Sequence, residues 1–343
     1  MAIGINDVAQ AAGVSTTTVS RALRGVGSIS PATVQRVRDV AATLGYAPLA
    51  SAVALAAGRT HAVGLLAPSV SRWFYATVIE GAEATLRASG YDGLLHLLNT
   101  PVGSQRIRLN ADVLRGRVDA VIVAGLALEP DEVAALGRLG VPVVSVSVRH
   151  DGVTFVGIDD AVAERALTRR VIELGHQRIA HIGGPTIDDN ASSTAVKRRE
   201  AWLETMADAG LPVPPEYDQP GDFTLSGGWG AAHRLLDMAP DVTAVLVDSD
   251  EMATGVLQAF HERGVRPGAD VSVVGFDGHS VCAVLGLATV EQPTYAQGHR
   301  AAELILGALR GQELPSEVVF ATRIVERPSL RERADAREIV TET

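Results

Sequence analysis

From about residue 61 the chain alternates short apolar runs with longer segments whose apolar residues recur at helical spacing. In the first half this pattern predicts strands at 62–67, 93–98, 120–124, 143–148 and 153–157, and helices at 75–89, 104–116 and 130–139. In the second half it predicts helices at 160–174, 194–209, 226–237, 250–263 and 295–310, and strands at 178–183, 244–247, 271–276 and 288–290. Strands that alternate with helices form parallel sheets through right-handed crossovers. We therefore expect two similar α/β subdomains with a ligand cleft at the carboxyl ends of their strands.

Residues 1–48 predict a separate, all-helical structure. A first helix is expected to be capped by Asn6 or Asp7 and to end at Gly13, where the chain turns. Ser30 and Pro31 mark the start of a third helix that runs to about residue 44. The inner face of the first helix is expected to be formed by Val8, Ala9 and Ala12.

The second helix of this segment carries the main functional signal. Ser15 can cap it, and its inward-facing residues are Val19, Ala22 and Leu23. Its outward-facing residues are Thr16, Thr17, Ser20 and Arg21. Two short helices around a tight turn form a helix-turn-helix, whose second helix fits the major groove of DNA. The alternative is a pair of small packed helices without a ligand.

The charge of the chain is unevenly distributed. The whole chain has a net charge of −10, but residues 1–60 hold five arginines and two acidic residues and so carry +3. The remaining residues therefore carry −13. A basic N-terminal segment can bind the phosphate backbone of DNA while the acidic body stays soluble.

Several classes of protein are disfavoured by what the sequence lacks. No apolar run reaches the roughly 20 residues that span a bilayer, and the N-terminus does not resemble a secretion signal. The single cysteine, Cys282, fits a reducing compartment, so a cytoplasmic protein is expected. Nucleotide-binding and catalytic motifs are missing, and His176 and His181 have no third metal ligand nearby in the sequence. We therefore expect no enzymatic activity, no cofactor, no bound metal and no membrane partner.

Several segments resemble one protein family. Residues 7–9, 12–15, 18–23 and 44–48 read Asp-Val-Ala, Ala-Gly-Val-Ser, Thr-Val-Ser-Arg-Ala-Leu and Leu-Gly-Tyr-Ala-Pro. Together with residues 172–184, 271–277 and 289–293, they resemble the LacI (lactose repressor) family of bacterial transcription regulators. The resemblance covers nearly the whole chain. It implies an N-terminal all-α helix-turn-helix headpiece, followed by an α/β, two-subdomain, periplasmic-binding-protein-like effector domain with parallel sheets.

The resemblance also implies how the chain is divided. The headpiece is 1–48, the hinge helix and linker 49–60, and the effector-binding and dimerisation domain 61–330, followed by a charged tail at 331–343. Within the effector domain, the N-subdomain comprises about 61–160 and 291–325, and the C-subdomain about 161–290. The tail lacks leucine heptads, so a homodimer is expected rather than a tetramer. In the hinge, Leu55 matches a leucine that wedges into the minor groove, with a plain linker helix as the alternative.

The DNA contacts of the family carry over onto matching positions of the headpiece. Thr16, Thr17 and Arg21 are expected to touch base edges, since arginine can pair with guanine O6 and N7. A solvated surface arginine is the alternative for Arg21. Phosphate contacts are expected from Ser15, Ser20 and Thr33, with a further phosphate or base contact from Arg24. The expected partner is double-stranded operator DNA.

A second set of positions matches the effector cleft of the family. Arg198 is expected to bind a hydroxyl or carboxylate group of the ligand. Asp250 is expected to accept hydrogen bonds from ligand hydroxyl groups, unless it only caps the following helix. The aromatic residues expected to line the cleft, with core packing as their alternative, are Trp73, Phe74 and Phe223.

Three places in the cleft depart from the family pattern. Ser147 stands where aspartate is frequent, and Ser249 replaces a frequent asparagine. Arg72-Trp73 stands where the family often has Asn-Pro before the first aromatic pair. The expected effector is a small molecule, either a sugar or a related cyclic metabolite such as a nucleobase. The expected function is a dimeric repressor that binds a near-palindromic operator under the control of this effector. The alternative is a sugar- or solute-binding module whose headpiece has no active DNA-binding role.

Overall fold

The computed structural model describes residues 3–24, 27–46, 59–98, 107–184 and 194–333. The chain folds into two compact units, and each is described by itself. The first comprises Met1–His61 with Gly116–Asp119, and the second comprises Ala62–Arg115 with Ala120–Thr343. Most of the predicted hinge, including Leu55, and the predicted tail from residue 334 onward lie outside the described residues.

The first unit contains the three helices that the sequence predicts for the headpiece. They are α1 (Ile5–Ala12), α2 (Thr16–Arg24) and α3 (Pro31–Leu44). All three contribute small apolar side chains to one core, which consists of Val8, Ala9, Ala12, Val19, Ala22, Val37 and Ala41. A core built from valine and alanine lets short helices approach closely, and it fixes which face of each helix remains outside.

The start of α1 differs from the prediction. Gly4, rather than Asn6 or Asp7, occupies the N-cap position. Asp7 lies inside the first turn, where its carboxylate accepts a hydrogen bond from the backbone N–H of Gly4 at 2.8 Å. The carboxylate therefore supports the helix N-terminus from within the helix. The end of α1 agrees with the prediction, because Gly13 adopts the left-handed conformation at φ 67°.

The second unit consists of strands and helices in regular alternation. Its strands are β1 (Ala62–Ala67), β2 (Asp92–Leu97), β3 (Ala120–Ala124), β4 (Val143–Val146), β5 (Thr154–Ile158), β6 (Ile179–Gly183), β7 (Asp218–Pro220), β8 (Ala244–Val247), β9 (Ser272–Asp277), β10 (Ala288–Glu291), β11 (Glu317–Phe320) and β12 (Arg323–Val325). Its helices are α4 (Trp73–Ala88), α5 (Pro130–Gly137), α6 (Asp160–Glu173), α7 (Thr194–Asp208), α8 (Leu225–Met238), α9 (Asp250–Glu262), α10 (Val281–Leu285) and α11 (Thr294–Leu309). Within the described residues, no helix combines the length and apolar character needed to cross a membrane.

The strands form two six-stranded sheets with the same arrangement. The order is β11-β5-β4-β3-β1-β2 in the first sheet and β12-β10-β9-β8-β6-β7 in the second. Neighbouring strands are parallel, except that β12 runs antiparallel to β10. The central strands β3, β6 and β8 are buried along their whole length, as expected for parallel sheets with helices on both faces. The predicted fold of two α/β subdomains is confirmed.

The boundary between the subdomains differs from the prediction at the C-terminal side. The predicted N-subdomain segment 291–325 is too long, because β12 pairs with β10 in the second sheet. Only β11, at Glu317–Phe320, belongs to the first sheet. Ile324 packs against the core of the second subdomain, which holds the returning strand there. The chain therefore returns to the C-subdomain at about residue 323.

The helix predicted at 104–116 is absent from its described part. Residues 107–110 have no regular structure, and Ala111–Leu114 form a single 3-10 turn. The side chain of Asn110 accepts a hydrogen bond from the backbone N–H of Asp112 at 3.1 Å. Such local side-chain bonds compete with the α-helical hydrogen-bond pattern.

Helices α4 and α11 approach each other so closely that glycine is required at their crossing. A Cβ atom at Gly298 would lie 1.9 Å from the backbone oxygen of Val78, and one at Gly81 would lie 2.2 Å from the backbone oxygen of Tyr295. The contact positions the start of α4, which leads into the cavity described below.

Candidate functional sites

Helix α2 presents one face away from the headpiece core. Val19 and Ala22 are fully buried, so the side chains on the opposite face point outward. Among the residues predicted to read bases, Thr17 and Arg21 are exposed and Thr16 is half-buried. An exposed guanidinium group on a recognition helix has the paired donors that match guanine O6 and N7.

Two of the residues predicted to contact phosphate lie at helix N-termini. Ser15 caps α2, as predicted, by accepting a hydrogen bond from the backbone N–H of Thr18 at 3.2 Å. At the start of α3, the hydroxyl groups of Ser30 and Thr33 lie 2.9 Å apart. The outward-pointing N–H groups of a helix N-terminus favour a phosphate group.

The three remaining predicted DNA contacts are Ser20, Arg24 and Leu55. Ser20 is half-buried on α2. Arg24 is the last residue of α2, but its side chain lies outside the described residues, as does the whole of Leu55.

The second unit contains a cavity of about 340 Å³ between the carboxyl ends of its two sheets. Its lining residues follow the strands. From the first half they are 68, 72, 74, 75, 125–127, 129, 147, 148, 158 and 160, and from the second half they are 194, 195, 198, 223, 248, 249, 251, 277 and 292. A crevice at this place is where parallel α/β sheets bind ligands, and the volume is in the usual range for small molecules. Of the predicted effector residues, the structure brings together Phe74, Ser147, Arg198 and Phe223.

Arg198 forms a buried ion pair in the cavity wall. Its Nε and Nη2 atoms donate to one carboxylate oxygen of Asp160, at 2.9 and 2.8 Å. Its Nη1 atom donates to the backbone oxygen of Asp248 at 2.6 Å, and the guanidinium group lies 3.4 Å from the centre of the Phe276 ring. Burial raises the pKa of Asp160 above its ordinary value, and the nearby charge of Arg198 offsets only part of this rise. The arginine is thus held rigidly, with several of its donors already used by the protein.

The structure contradicts the predicted role of Asp250. This residue is fully buried and does not line the cavity. Its two carboxylate oxygens accept hydrogen bonds from the hydroxyl group of Thr289 and the backbone N–H of His279, each at 2.7 Å. The alternative role is wrong as well, because Ser249 caps α9 through the backbone N–H of Met252. Asp250 therefore ties α9 to the second sheet, and burial raises its pKa to about 6.

The prediction for Trp73 is also wrong in the described structure. Trp73 is not among the lining residues and stacks on His279, with ring centres 4.0 Å apart. The aromatic surface of the cavity comes instead from Phe74, Tyr75 and Phe223. Burial raises the pKa of Tyr75 to about 12, so its hydroxyl group stays protonated.

Arg72 bridges the two sides of the cavity. It precedes α4 in the N-subdomain, and its guanidinium group donates to the backbone oxygen of Phe223 and, at 3.5 Å, to that of Asp222. It also lies 3.7 Å from the carboxylate of Glu251. Asp222 and Phe223 have φ of 54° and 52°, a conformation that non-glycine residues adopt at a cost. The arginine thus joins the subdomains through a strained segment of the second one.

A buried charged cluster lies behind the cavity wall. The Nε2 atom of His181 is 3.1 Å from Asp248, and its Nδ1 atom is 3.7 Å from Asp218. Burial opposes protonation of His181, but the carboxylates of Asp248 and Asp218 outweigh it and raise its pKa to about 10. Burial also raises the pKa of nearby Glu164 to about 7. The imidazolium group therefore fixes the orientation of Asp248, which faces the cavity.

The motif comparison of the sequence missed several wall residues, among them Asp160, Asp248 and Asp277. They share a simple signal, because each lies at or just after the carboxyl end of a predicted strand or at the start of a predicted helix. Side chains at those ends meet at one edge of a parallel sheet. Polar residues at every strand end would therefore have been better candidates than motif positions alone.

Known proteins match this chain over nearly its whole length. Residues 4–48 match the family described as bacterial regulatory proteins, lacI family, and residues 168–330 match the periplasmic binding protein-like domain. The HTH-type transcriptional regulator CelR of Thermobifida fusca is 33% identical, over 94% of this chain and 96% of its own. The ribose operon repressor of Escherichia coli K12 is 31% identical, over 97% and 99%. A solved structure of a transcriptional regulator CelR–cellobiose complex is similar with a TM-score of 0.68 and 31% identity, over 96% of this chain and 100% of that one.

Proposed function

This chain belongs to the LacI family of bacterial transcription regulators, and from that premise we propose that it is a repressor controlled by a small sugar. It binds a near-palindromic operator as a homodimer, because a two-fold dimer reads two symmetric half-sites. It works in the cytoplasm and acts by binding alone, without catalysis. The observation that carries the DNA-binding half is the exposed Arg21 on a helix capped by Ser15.

Each predicted DNA contact keeps its proposed role. Thr16, Thr17 and Arg21 read base edges, and Ser15, Ser20 and Thr33 hold the backbone. Arg24 adds a further phosphate or base contact. Residues 1–48 form the headpiece, residues 49–60 the hinge with Leu55 as its wedge, and residues 61–330 the effector domain.

The proposed effector is a carbohydrate because of the chemistry of the cavity wall. Phe74 and Phe223 offer flat apolar faces on which a ring can stack. Ser147, Asp248 and Asp277 offer oxygen atoms to hydroxyl groups around the same space. Two relatives support a carbohydrate effector. One is the transcriptional regulator CelR, whose structure was solved in complex with cellobiose, and the other is a ribose operon repressor.

The effector acts through the arrangement of the two subdomains that contact it. A ligand shifts a conformational equilibrium only by as much as it binds one state better than the other. We propose that binding between the subdomains changes the separation of the two hinges in the dimer and with it the affinity for the operator.

A thermal-shift screen of the full chain against sugars, nucleosides and purines tests the effector half. A ligand present at about 100 times its Kd should stabilise the protein by roughly 2.7 kcal/mol. The same ligand should change DNA binding, and Phe223→Ala should weaken its effect. Asp208→Asn, at the exposed end of α7, should not. A sugar that stabilises the protein while no operator can be found would favour a solute-binding module instead.

A further inference from the structure

The walls of the cavity are acidic. The acidic and basic side chains among its described lining residues are those of Glu129, Asp160, Asp248, Glu251, Asp277, Arg72 and Arg198. Five carboxyl groups and two guanidinium groups give a formal charge of −3.

Both guanidinium groups are already engaged by the protein. Arg198 donates to Asp160 and to the backbone oxygen of Asp248 at 2.6 to 2.9 Å. Arg72 donates to the backbone oxygen of Phe223 and pairs with Glu251. A phosphate or carboxylate group on a ligand would have to displace these partners. Left unpaired beside buried carboxylates, such an anion would be strongly disfavoured.

At two of the helix N-termini near the cavity, one backbone donor is already used by a side chain of the protein. At the start of α4, the backbone N–H of Trp73 donates to Glu251 at 3.4 Å. At the start of α9, the side chain of Ser249 accepts the hydrogen bond from Met252. An anionic ligand would therefore have to compete with the protein's own acceptors for these two backbone donors.

Asp277 is a wall carboxylate whose hydrogen-bond partner is an amide rather than a cation. It accepts a hydrogen bond from the neutral amide of Gln292 at 2.7 Å and forms no ion pair within 4 Å among the described residues. Its backbone has φ 117°, a strained conformation typical of functional positions. Burial raises the pKa of Asp277 well above its ordinary value, although the charge of Arg198 lowers it. A positive group on a ligand would stabilise the ionised carboxylate.

We infer that the effector is a polyhydroxylated ring without a negatively charged group, and that a protonated amine in place of one hydroxyl makes it bind more tightly, at Asp277. The inference rests on the proposed function, because it concerns the same cavity. Hydroxyl groups donate hydrogen bonds to the wall carboxylates, and an ammonium group adds charge-assisted bonds. An added phosphate or carboxylate group would bring only acceptors and negative charge.

Calorimetry of the full chain with two matched series of ligands tests the inference. One series is glucose, glucosamine and glucose 6-phosphate, and the other is cellobiose, β-1,4-linked diglucosamine and cellobionate. We expect the amine to bind at least tenfold more tightly than the neutral sugar, and the anion at least tenfold more weakly. An anion that binds as tightly as its neutral partner, or an amine that binds no more tightly, overturns the inference and leaves the proposed function standing. If no member of either series binds, the sugar effector itself is refuted and the inference falls with it.

Variants locate the discrimination at Asp277. In Asp277→Asn the ratio of amine to neutral affinity should fall to near one, whereas Asp277→Glu, which keeps the charge, should retain a preference for the amine. Asp208→Asn removes an exposed carboxylate of α7 and should leave the ratio at tenfold or more. Thermal unfolding of each variant verifies that it is folded. An unchanged ratio in folded Asp277→Asn refutes the assignment to this residue.

Discussion

Glu164 is a buried acid behind the cavity, and its replacement by glutamine tests the electrostatics of the charged cluster. The residue lies on α6 and is 1% exposed. Its carboxylate accepts a hydrogen bond from the hydroxyl group of Thr168 at 3.3 Å. Burial raises its pKa from 4.5 to about 7, although His181 and Arg198 oppose the shift. Glutamine has nearly the same shape and does not titrate.

The size of the expected effect follows from that pKa. An acid whose pKa is higher in the folded than in the unfolded protein binds its proton more tightly when folded, so stability falls as the pH rises. A change from 4.5 to about 7 corresponds to about 3 kcal/mol, at about 1.4 kcal/mol per pKa unit. The loss begins near pH 4.5 and is complete above pH 7. His181 is present in both the wild type and Glu164→Gln. Because its pKa is raised to about 10, it should stay protonated below pH 8 in both folded proteins, so its contribution largely cancels from the difference between them.

Urea unfolding at pH 5 and pH 8 measures the effect. Between these values, the wild-type free energy of unfolding should fall by about 2 to 3 kcal/mol more than that of Glu164→Gln. Glu173→Gln, whose side chain is 65% exposed on the same helix, is the matched control and should keep the wild-type pH dependence. If Glu164→Gln also keeps it, the reasoning about burial of this carboxyl group is refuted.

Three further variants test other parts of the structure. Gly298→Ala should destabilise the protein by about 1–3 kcal/mol in urea unfolding, because the new Cβ would clash with backbone atoms of α4. Gly230→Ala in α8, where a Cβ has room, should instead stabilise it by about 0.5–1 kcal/mol because alanine favours helix. Equal effects would contradict the close helix contact. Asp250→Ala should lower stability by about 1–3 kcal/mol even without ligand, because it leaves buried donors unpaired, and an unchanged unfolding midpoint would argue against this structural role. Arg72→Ala should increase amide hydrogen exchange around Phe223, and unchanged exchange would mean that the bridge does not hold that strained segment.

The fold was predictable because its signals are local. Strands such as β3 and β8 are uninterrupted apolar runs, and the helices between them repeat their apolar residues at helical spacing. Strand β12 was not predicted from the sequence because it is three residues long and partly exposed, and it therefore forms no apolar run. Its place in the second sheet depends on pairing with β10, which lies more than thirty residues earlier.

The site was predictable only in part because its geometry is not local. Asp248 and Asp250 are two positions apart, and the turn at the end of β8 decides which of them faces the cavity. Trp73 stacks on His279, a partner from the other subdomain that no local pattern indicates. Likewise, the orientation of Asp248 is set by His181, whose place in the fold depends on the pairing of β6 with β8.

Selection of bound sequences from a random pool of DNA duplexes tests the central claim of a sequence-specific regulator most directly. The wild-type full chain should enrich a near-palindromic site with two half-sites, and Arg21→Ala should lose the base preference at one matching position in each half-site. Arg38→Ala, which removes an exposed arginine of α3, is the control and should leave the base preferences unchanged. A folded wild-type protein that enriches no sequence, or an Arg21→Ala variant with the same preferences as wild type, would contradict the account.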